Sequence, residues 1–240
     1  MRNKSEDFLQ LLIIEIKFYI FLVFLGDSFM KIAIYNNKGG VGKTSLTAHV
    51  GFRAMETKQS ITVVDADKQS NAMDWLTGGD WDGNSTVEVG SITITKDIRD
   101  IGADDLVVID CPPSFEVVQN YPDVDVWIIP VNGRFSVIGS MTVIDEIKAI
   151  NPKARIVIIA NMVDVSTKFG KAQLDEIKKI GVELYKLIIP RHDIVGKAEI
   201  ATQSAWSIPY GSRSLAAQNL KLFAEWVLNG CKARGVYNGD

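Results

Sequence analysis

The stretch that most constrains this chain is a glycine-rich turn near its start, with the sequence Lys38-Gly39-Gly40-Val41-Gly42-Lys43-Thr44. An apolar, strand-like run precedes it and a helix-like run follows it. Glycines let successive backbone N–H groups point into one concavity, and the start of a helix adds partial positive charge there. The order strand, turn, helix therefore predicts a phosphate-binding loop.

Two side chains of this turn have chemistry suited to a nucleotide. The spacing from Gly42 allows the ammonium of Lys43 to reach the β- and γ-phosphates, and the Thr44 hydroxyl is suited to bind Mg²⁺. The general pattern of such loops has glycine where this chain has Asn37, and an additional lysine, Lys38, opens the loop. The expected nucleotide-binding residues of the loop are Lys38, Gly39, Gly40, Val41, Gly42, Lys43, Thr44 and Ser45.

The rest of the chain alternates apolar runs with helix-like segments. Several runs are continuous in Val and Ile, which is typical of strands buried on both faces of a parallel sheet. We predict strands at 32–36, 61–65, 106–110, 125–130, 155–160 and 185–189, a weaker one at 91–94, and helices near 43–57, 135–150, 169–180 and 213–230. The expected fold is α/β, a doubly wound, mainly parallel sheet with helices on both faces, and residues 77–85 are expected to form an exposed loop.

An acid closes two of the predicted strands. One run ends on Asp65, and another ends on Asp110 before two prolines. In an open parallel sheet, ligands bind beyond the carboxyl ends of the strands, where an acid can orient Mg²⁺, often through a water. Together with the phosphate loop upstream, this predicts that Asp110 helps to hold the metal.

Composition narrows the class of protein without naming a partner. A chain of 240 residues with 47% hydrophobic and 23% charged residues fits one α/β domain with a full core. A net charge of -3 gives no general attraction to nucleic acid, so any DNA contact needs a local basic patch. The two cysteines, Cys111 and Cys231, lack the number and spacing of a disulfide framework or zinc site, which favours the cytosol.

Residues 1–29 differ from the rest of the chain because residues 8–25 are almost all apolar or aromatic. A membrane helix is disfavoured by Glu15 and Lys17 in its middle, and a signal peptide by the lack of a clear small-residue cleavage site. We expect the functional domain to occupy 30–240 and to start at Met30. A packed or membrane-touching N-terminal helix is the alternative.

The loop sequence K-G-G-V-G-K-T resembles the deviant Walker A motif of the ParA/MinD group of ATPases. In that group the additional lysine reaches the phosphates of a partner subunit in an ATP-bound dimer, which implies this role for Lys38. The segment Asp65-Ala66-Asp67-Lys68-Gln69 resembles the group's second signature, D-x-D-P-Q, with Lys68 in place of proline. The resemblance implies that Asp67 positions the attacking water and that Asp65 lies near the metal.

Further resemblances concern the base and a second switch region. Asn161, in N-x-x-D after a strand, is similar to the asparagine that reads adenine, and an amide can both donate to and accept from the base. Asparagine is also a common turn residue, so that alternative stays open. Pro190 lies in a segment similar to the one that covers the base. Residues 130–139 resemble the second switch region, where Arg134 has phosphate, DNA or solvent as its possible partner.

Within the group, the chain resembles the short plasmid-partition ParA proteins (ParF-like), which lack an N-terminal DNA-binding domain. This implies an ATP- and Mg²⁺-dependent homodimer that binds DNA non-specifically, a ParB-like adaptor, and a cytoplasmic, nucleoid-associated protein. The candidate DNA contacts are Arg191, Lys197, Arg213 and Lys221, and an ordinary solvated surface position is the alternative for each of them.

Two other branches of the group are alternatives. A MinD-like ATPase that cycles on a membrane would need a basic amphipathic C-terminal helix, whereas residues 235–240 are polar and helix-breaking, so membrane binding is not expected. Iron–sulfur relatives need cluster cysteines, and Cys111 and Cys231 do not form a paired set.

Overall fold

A mainly parallel sheet forms the centre of the molecule, and the computed structural model describes residues 29–101, 106–232 and 235–237. In those residues the strands are β1 (Met30–Ile34), β2 (Ile61–Asp65), β3 (Thr86–Val89), β4 (Ile92–Thr95), β5 (Leu106–Asp110), β6 (Val126–Val131), β7 (Arg155–Ala160), β8 (Glu183–Tyr185) and β9 (Val236–Tyr237). Their order is β3-β4-β2-β5-β1-β6-β7-β8-β9. The pairs β3/β4 and β8/β9 are antiparallel, and the other pairs are parallel.

Helices cover both faces of this sheet. They are α1 (Lys43–Thr57), α2 (Asn71–Thr77), α3 (Val117–Asn120), α4 (Arg134–Ile150), α5 (Lys168–Lys178), α6 (Asp193–Ile200) and α7 (Leu215–Leu228), with 3₁₀ turns at Ile98–Asp100 and Gly211–Arg213. Helices α1, α2, α6 and α7 pack on one face, and α3, α4 and α5 on the other. The predicted doubly wound α/β fold is confirmed.

The continuous apolar runs reflect burial on two sides. Along β1, Ile32 and Ile34 belong to the core under α1 and α7, whereas Ala33 belongs to the core under α4. All residues of β2, β5 and β6 are buried. Each fully buried Val or Ile contributes roughly 1.5–3 kcal/mol to folding, so these central strands fix the position of their carboxyl ends.

The predicted strand at 185–189 is wrong in its boundaries. Strand β8 spans Glu183–Tyr185, and the chain bends at residues 186 and 187. The chain rejoins the sheet at Ile189, which forms an isolated parallel bridge with Asn161. The sequence pattern does not predict this break in the strand, because residues 187–189 remain apolar.

Five elements were absent from the prediction, namely α2, α3, α6, β3 and β9. All five are eight residues long or shorter, and their apolar positions complete a core already formed by the longer elements. The predicted N-terminal extension, residues 1–29, lies outside the described residues except for Phe29. Within the described ranges, none of the helices has the length and apolar character needed to cross a bilayer.

The register of the central strands brings the predicted acids together. Asp110 pairs with Ile34 on one side and with Asp65 on the other, so both acids lie at the same edge of the sheet. The glycine-rich turn begins at Lys38, four residues after the end of β1, at that same edge. The fold therefore places the loop and the two acids in one cleft.

Candidate nucleotide-binding site

The glycine-rich loop joins β1 to α1 with an open backbone. Gly40 and Gly42 have φ values of 72° and 89°, in the left-handed region that favours glycine. A Cβ on Gly39 or Gly40 would meet no atom within 4 Å, whereas one on Gly42 would lie 2.3 Å from the Asn161 amide nitrogen. Helix α1 begins without a side-chain cap or an acid in its first turn, which suits an anion at its N-terminus.

Two asparagines hold this loop in place. The side-chain nitrogen of Asn161 donates to the carbonyl of Val41 at 2.7 Å. The side chain of Asn36, which is fully buried, donates to the carbonyl of Pro130 at 2.9 Å and accepts from the N–H of Lys38 at 2.9 Å. Sequence reasoning missed Asn36 because it was placed in the predicted strand. The signal was a polar residue at the end of an otherwise apolar run.

The two lysines of the loop differ in exposure. Lys43 is 7% exposed, and its ammonium donates to the carbonyl of Lys38 at 3.3 Å. Burial lowers the pKa of Lys43, and the charge of Asp110 acts in the opposite direction. The side chain of Lys38 is exposed and forms no ion pair with any residue that the structure describes. The loop thus has one cation inside the cleft and one facing outward.

Asp110 has the features of a metal ligand. It is buried, and its Oδ1 accepts from the Thr47 hydroxyl at 3.4 Å. Its Oδ2 is also buried, and it has no hydrogen-bond partner in the described part of the chain. Burial raises the pKa of Asp110 to about 7, the hydroxyl of Thr44 counteracts that rise, and Asp65 and Asp67 add to it. An unpartnered, buried carboxylate oxygen next to a threonine hydroxyl fits Mg²⁺, a hard cation that prefers oxygen ligands.

The carboxylate of Asp65 has protein partners on both oxygens. Oδ2 accepts from the N–H of Met73, in the first turn of α2, at 2.8 Å. Oδ1 accepts from the N–H of Asp67 at 3.2 Å and from the ammonium of Lys96 at 3.5 Å. Burial raises the pKa of Asp65, and the Met73 hydrogen bond and Lys96 counteract this rise. The geometry shows Asp65 as an anchor of the following turn and helix, and its role at the metal stays a prediction.

Asp67 lies in the cleft with the loop. It is half-buried, and its Oδ1 accepts from the N–H of Gln69 at 3.0 Å. The carbonyl of Asp67 accepts from the N–H of Ser70 at 3.2 Å, which closes a tight turn. The side chain of Asp67, the predicted catalytic acid, is therefore accessible from the cleft.

The cleft has a volume of about 460 Å³ and extends from the loop to helix α6. Asn161 and Pro190, both predicted near the base, line it. Among the other lining residues are Trp75, Pro113, Met162, Ile189, Arg191, Val195, Gly196, Glu199 and Leu220. The contribution of α6 was missed because that helix was not predicted.

The second switch-like segment contacts the loop through a residue that sequence reasoning did not select. Arg134 is exposed at the start of α4. The neighbouring Asn132 donates from its side chain to the carbonyl of Gly40 at 3.4 Å, and its own carbonyl accepts from Gln173 at 3.0 Å. Asn132 therefore connects the loop to α5.

The candidate DNA contacts occur on or near α6 and α7. Arg191 lines the cleft, and Lys197 forms an ion pair with Asp193 at 2.7 Å. The guanidinium of Arg213 lies 5.6 Å from the ring centre of Tyr210, and the ammonium of Lys221 lies 5.8 Å from that of Trp206. These contacts place basic side chains beside aromatic rings at the C-terminal end of the domain.

A phosphate loop between a central parallel strand and a helix, with an acid at the end of the next strand, defines a P-loop nucleotide hydrolase. The family model described as "CobQ/CobB/MinD/ParA nucleotide binding domain" matches residues 32–204. The chain belongs to this family, and it is an ATPase of the ParA/MinD type.

Known proteins resemble this chain along most of its length. It is 24% identical over 207 residues to "Maintenance of carboxysome distribution protein A" of Halothiobacillus neapolitanus, covering 82% of this chain and 95% of that protein. It is 25% identical over 203 residues to "Chromosome-partitioning ATPase Soj" of Thermus thermophilus, covering 68% and 81% respectively.

Solved structures share the fold. Cobyrinic acid a,c-diamide synthase from Mycobacterium smegmatis, solved with a bound ATP analogue and magnesium, superimposes with a TM-score of 0.62 at 18% identity. The alignment covers 86% of this chain and 97% of that one. The ParA/MinD resemblance is thus confirmed, and the narrower likeness to ParF-like proteins stays a prediction.

Proposed function

We propose that this protein is a partition-type switch that binds ATP and Mg²⁺ in the cleft, dimerises, and then binds DNA non-specifically to position a cargo. The observation that carries the proposal is the pair of lysines in one loop. Lys43 is buried in the cleft, whereas Lys38 is exposed and free to contact a second subunit. A loop that served a monomer would need Lys43 but not Lys38.

Each polar residue of the cleft has a separate proposed role in ATP hydrolysis. The ammonium of Lys43, which donates to the carbonyl of Lys38 in this structure, would contact the β- and γ-phosphates of bound ATP. Thr44 and Asp110 would hold Mg²⁺, which neutralises charge on the phosphate oxygens when bound. Asp67 would orient the attacking water. Lys38 of a partner would add positive charge at the γ-phosphate, and a cation placed there is worth roughly 10³–10⁵ in rate.

The named relatives act on different cargoes, one in carboxysome distribution and one in chromosome partitioning. For this chain we propose DNA as the surface and a DNA-bound, ParB-like adaptor or an equivalent protein as the link to cargo, with plasmid or chromosome DNA as one cargo class. Cytoplasmic, nucleoid-associated localisation follows from this proposal. The membrane alternative has less support, since Val236–Tyr237 forms a strand on the sheet and not a basic helix.

The proposal is tested by measuring ATP turnover per subunit against protein concentration. We expect the specific rate of wild type to rise with concentration as dimers form, and Lys38→Ala to lose at least about 10³-fold in turnover. The control is Lys148→Ala, which changes an exposed lysine on α4, away from the loop. A rate per subunit that is independent of concentration, with Lys38→Ala as active as wild type, would contradict the proposal.

The DNA step needs a separate measurement, sedimentation with non-specific duplex DNA or anionic liposomes in the presence of ATP, ADP or no nucleotide. We expect ATP-dependent pelleting with DNA. The double variant Arg213→Glu/Lys221→Glu should weaken binding to all sequences and reduce the salt slope by about two, one per lost phosphate contact. Pelleting with liposomes but not with DNA would instead favour the membrane-cycling alternative.

A further inference from the structure

A lysine outside the recognised motifs contacts the turn that carries Asp67. Strand β4 pairs in parallel with β2, with Thr95 opposite Val64, so Lys96 follows at the position opposite Asp65. The ammonium of Lys96 donates to the backbone carbonyl of Asp67 and lies 3.5 Å from the carboxylate of Asp65. Its side chain is 25% exposed. One cation therefore contacts the carboxylate of Asp65 and the backbone of Asp67.

The turn that Lys96 contacts lacks a usual restraint. The N–H of Ser70 donates to the carbonyl of Asp67, which makes Lys68 the second residue of a four-residue turn. Proline is favoured there because its ring fixes φ, and the D-x-D-P-Q signature has proline at this position. Here Lys68 is exposed, and its N–H has no hydrogen-bond partner among residues 29–101, 106–232 and 235–237. The φ angle at Lys68 is thus not fixed by a ring, and within the turn only the hydrogen bonds from Gln69 and Ser70 to Asp67 restrain the backbone.

We infer that Lys96 is a positioning residue for Asp67. Its ammonium restrains the turn through a hydrogen bond to the Asp67 carbonyl, whereas a proline would restrain the turn through its own ring. The carbonyl of Asp67 belongs to the same residue as the carboxylate that faces the cleft, so a fixed carbonyl limits the directions that the carboxylate can take. The ion pair with Asp65 holds the ammonium at this point. The inference rests on the proposed role of Asp67 in orienting water.

The contacts of Lys96 argue against a purely structural role, in which its loss would mainly lower the stability of the fold. The backbone N–H of Lys96 donates to the carbonyl of Ser85 at 2.8 Å, and any substitution except proline keeps that bond. The side chain lies beyond the end of β4 and contacts the turn, not the core. Its loss should therefore change the chemical step more than nucleotide binding or folding.

The test compares kcat and KM for ATP in four variants. In Lys96→Met, which keeps the length of the side chain without the charge, we expect kcat to fall by about 10- to 100-fold with KM within about twofold. Lys96→Arg, which keeps a cationic donor, should retain kcat within about threefold. Lys68→Pro alone should change little, whereas Lys68→Pro in the Lys96→Met protein should recover about half of the lost activity or more.

A matched control is Lys186→Met, which removes a lysine whose ammonium lies over the ring of Tyr237, away from the cleft. Unchanged kcat in Lys96→Met would overturn the inference. Equal losses of kcat in Lys96→Met and Lys96→Arg would also overturn it, and so would a fall in thermal stability that accounts for the lost turnover. Failure of Lys68→Pro to recover activity in the Lys96→Met protein would overturn it as well. Asp67→Asn separates the two proposals. If it keeps wild-type turnover, the role of Asp67 fails; if it is inactive while Lys96→Met is normal, the inference about Lys96 alone fails.

Discussion

A buried histidine in the first helix gives the sharpest prediction about stability. His49 lies one turn after Ser45 on α1, and its Nδ1 contacts the carbonyl of Ser45 at 2.6 Å. Its Nε2 accepts from the N–H of Ala205 at 3.0 Å. The ring is fully buried beside Trp75 and Trp206. These two hydrogen bonds require the neutral ring with its proton on Nδ1, because a protonated Nε2 has no lone pair for the Ala205 N–H.

The cost of charging this ring follows from its pKa. Burial lowers the pKa of His49 from its ordinary value of 6.5 to about 4. The unfolded chain therefore binds more protons than the folded one between these values, and stability is present above pH 6.5 and is lost as the pH falls towards 4. At about 1.4 kcal/mol per pH unit the full loss is about 3 kcal/mol, of which about 2 kcal/mol is lost by pH 5.

A second group acts with the opposite sign. The folded-state pKa of Asp110, raised to about 7 by burial, lies above that of an unfolded aspartate. Its contribution is present at low pH and is lost as the pH rises through 7, so the metal-free protein gains about 2 kcal/mol from Asp110 between pH 7 and pH 5. In wild type the effect of His49 therefore opposes that of Asp110, and Asp65, whose pKa burial also raises, acts in the same direction as Asp110. The test must therefore compare wild type with a His49 variant.

The assay is urea unfolding of wild type and His49→Gln between pH 7 and pH 5, without nucleotide and with a chelator. We expect the stability of His49→Gln relative to that of wild type to rise by about 2 kcal/mol over this range, because Asp110 and Asp65 contribute equally to both proteins. The variant should be less stable at pH 7, since it loses ring packing and a matched pair of hydrogen bonds. The control is His192→Gln, which changes an exposed histidine. Parallel stability curves for wild type and His49→Gln would refute this reasoning.

Three further predictions concern the cleft. Gly42→Ala should abolish nucleotide binding in a fluorescent-nucleotide titration, because its Cβ would lie 2.3 Å from the Asn161 amide and φ there is 89°; binding close to that of wild type would contradict it. Asp110→Asn should fold, bind ATP with little dependence on Mg²⁺, and lose about 10²-fold or more in turnover; a normal Mg²⁺ titration would count against Asp110 as a ligand. Asp67→Asn should bind ATP normally but hydrolyse it at least about 10²-fold more slowly in a single-turnover assay, and an unchanged rate would reject the role of Asp67.

Local signals were sufficient for much of this protein. The glycine-rich loop, the strand before it and the helix after it depend on backbone chemistry that is visible in consecutive residues, and in the structure Gly42, Lys43 and Thr44 line the cleft at the start of that helix. Continuous Val and Ile runs predicted the parallel sheet because strands buried on both faces have no polar side. An acid that ends such a run, as Asp110 does, must lie at the ligand-binding edge.

Only the tertiary structure decided which groups complete the site. Lys96 contacts the Asp67 turn across 29 positions of sequence and Asn132 contacts the loop across 92, and nothing local marks either residue. Asn36 adjoins the loop in sequence, but the carbonyl of Pro130 that holds it lies 94 positions away. The structure also shows that the carboxylate oxygens of Asp65 accept from the N–H groups of Met73 and Asp67, contacts that its position at a strand end does not reveal. A short motif records the conformation of its own backbone, whereas a long-range hydrogen bond depends on strand order and register, which emerge only when the sheet is assembled.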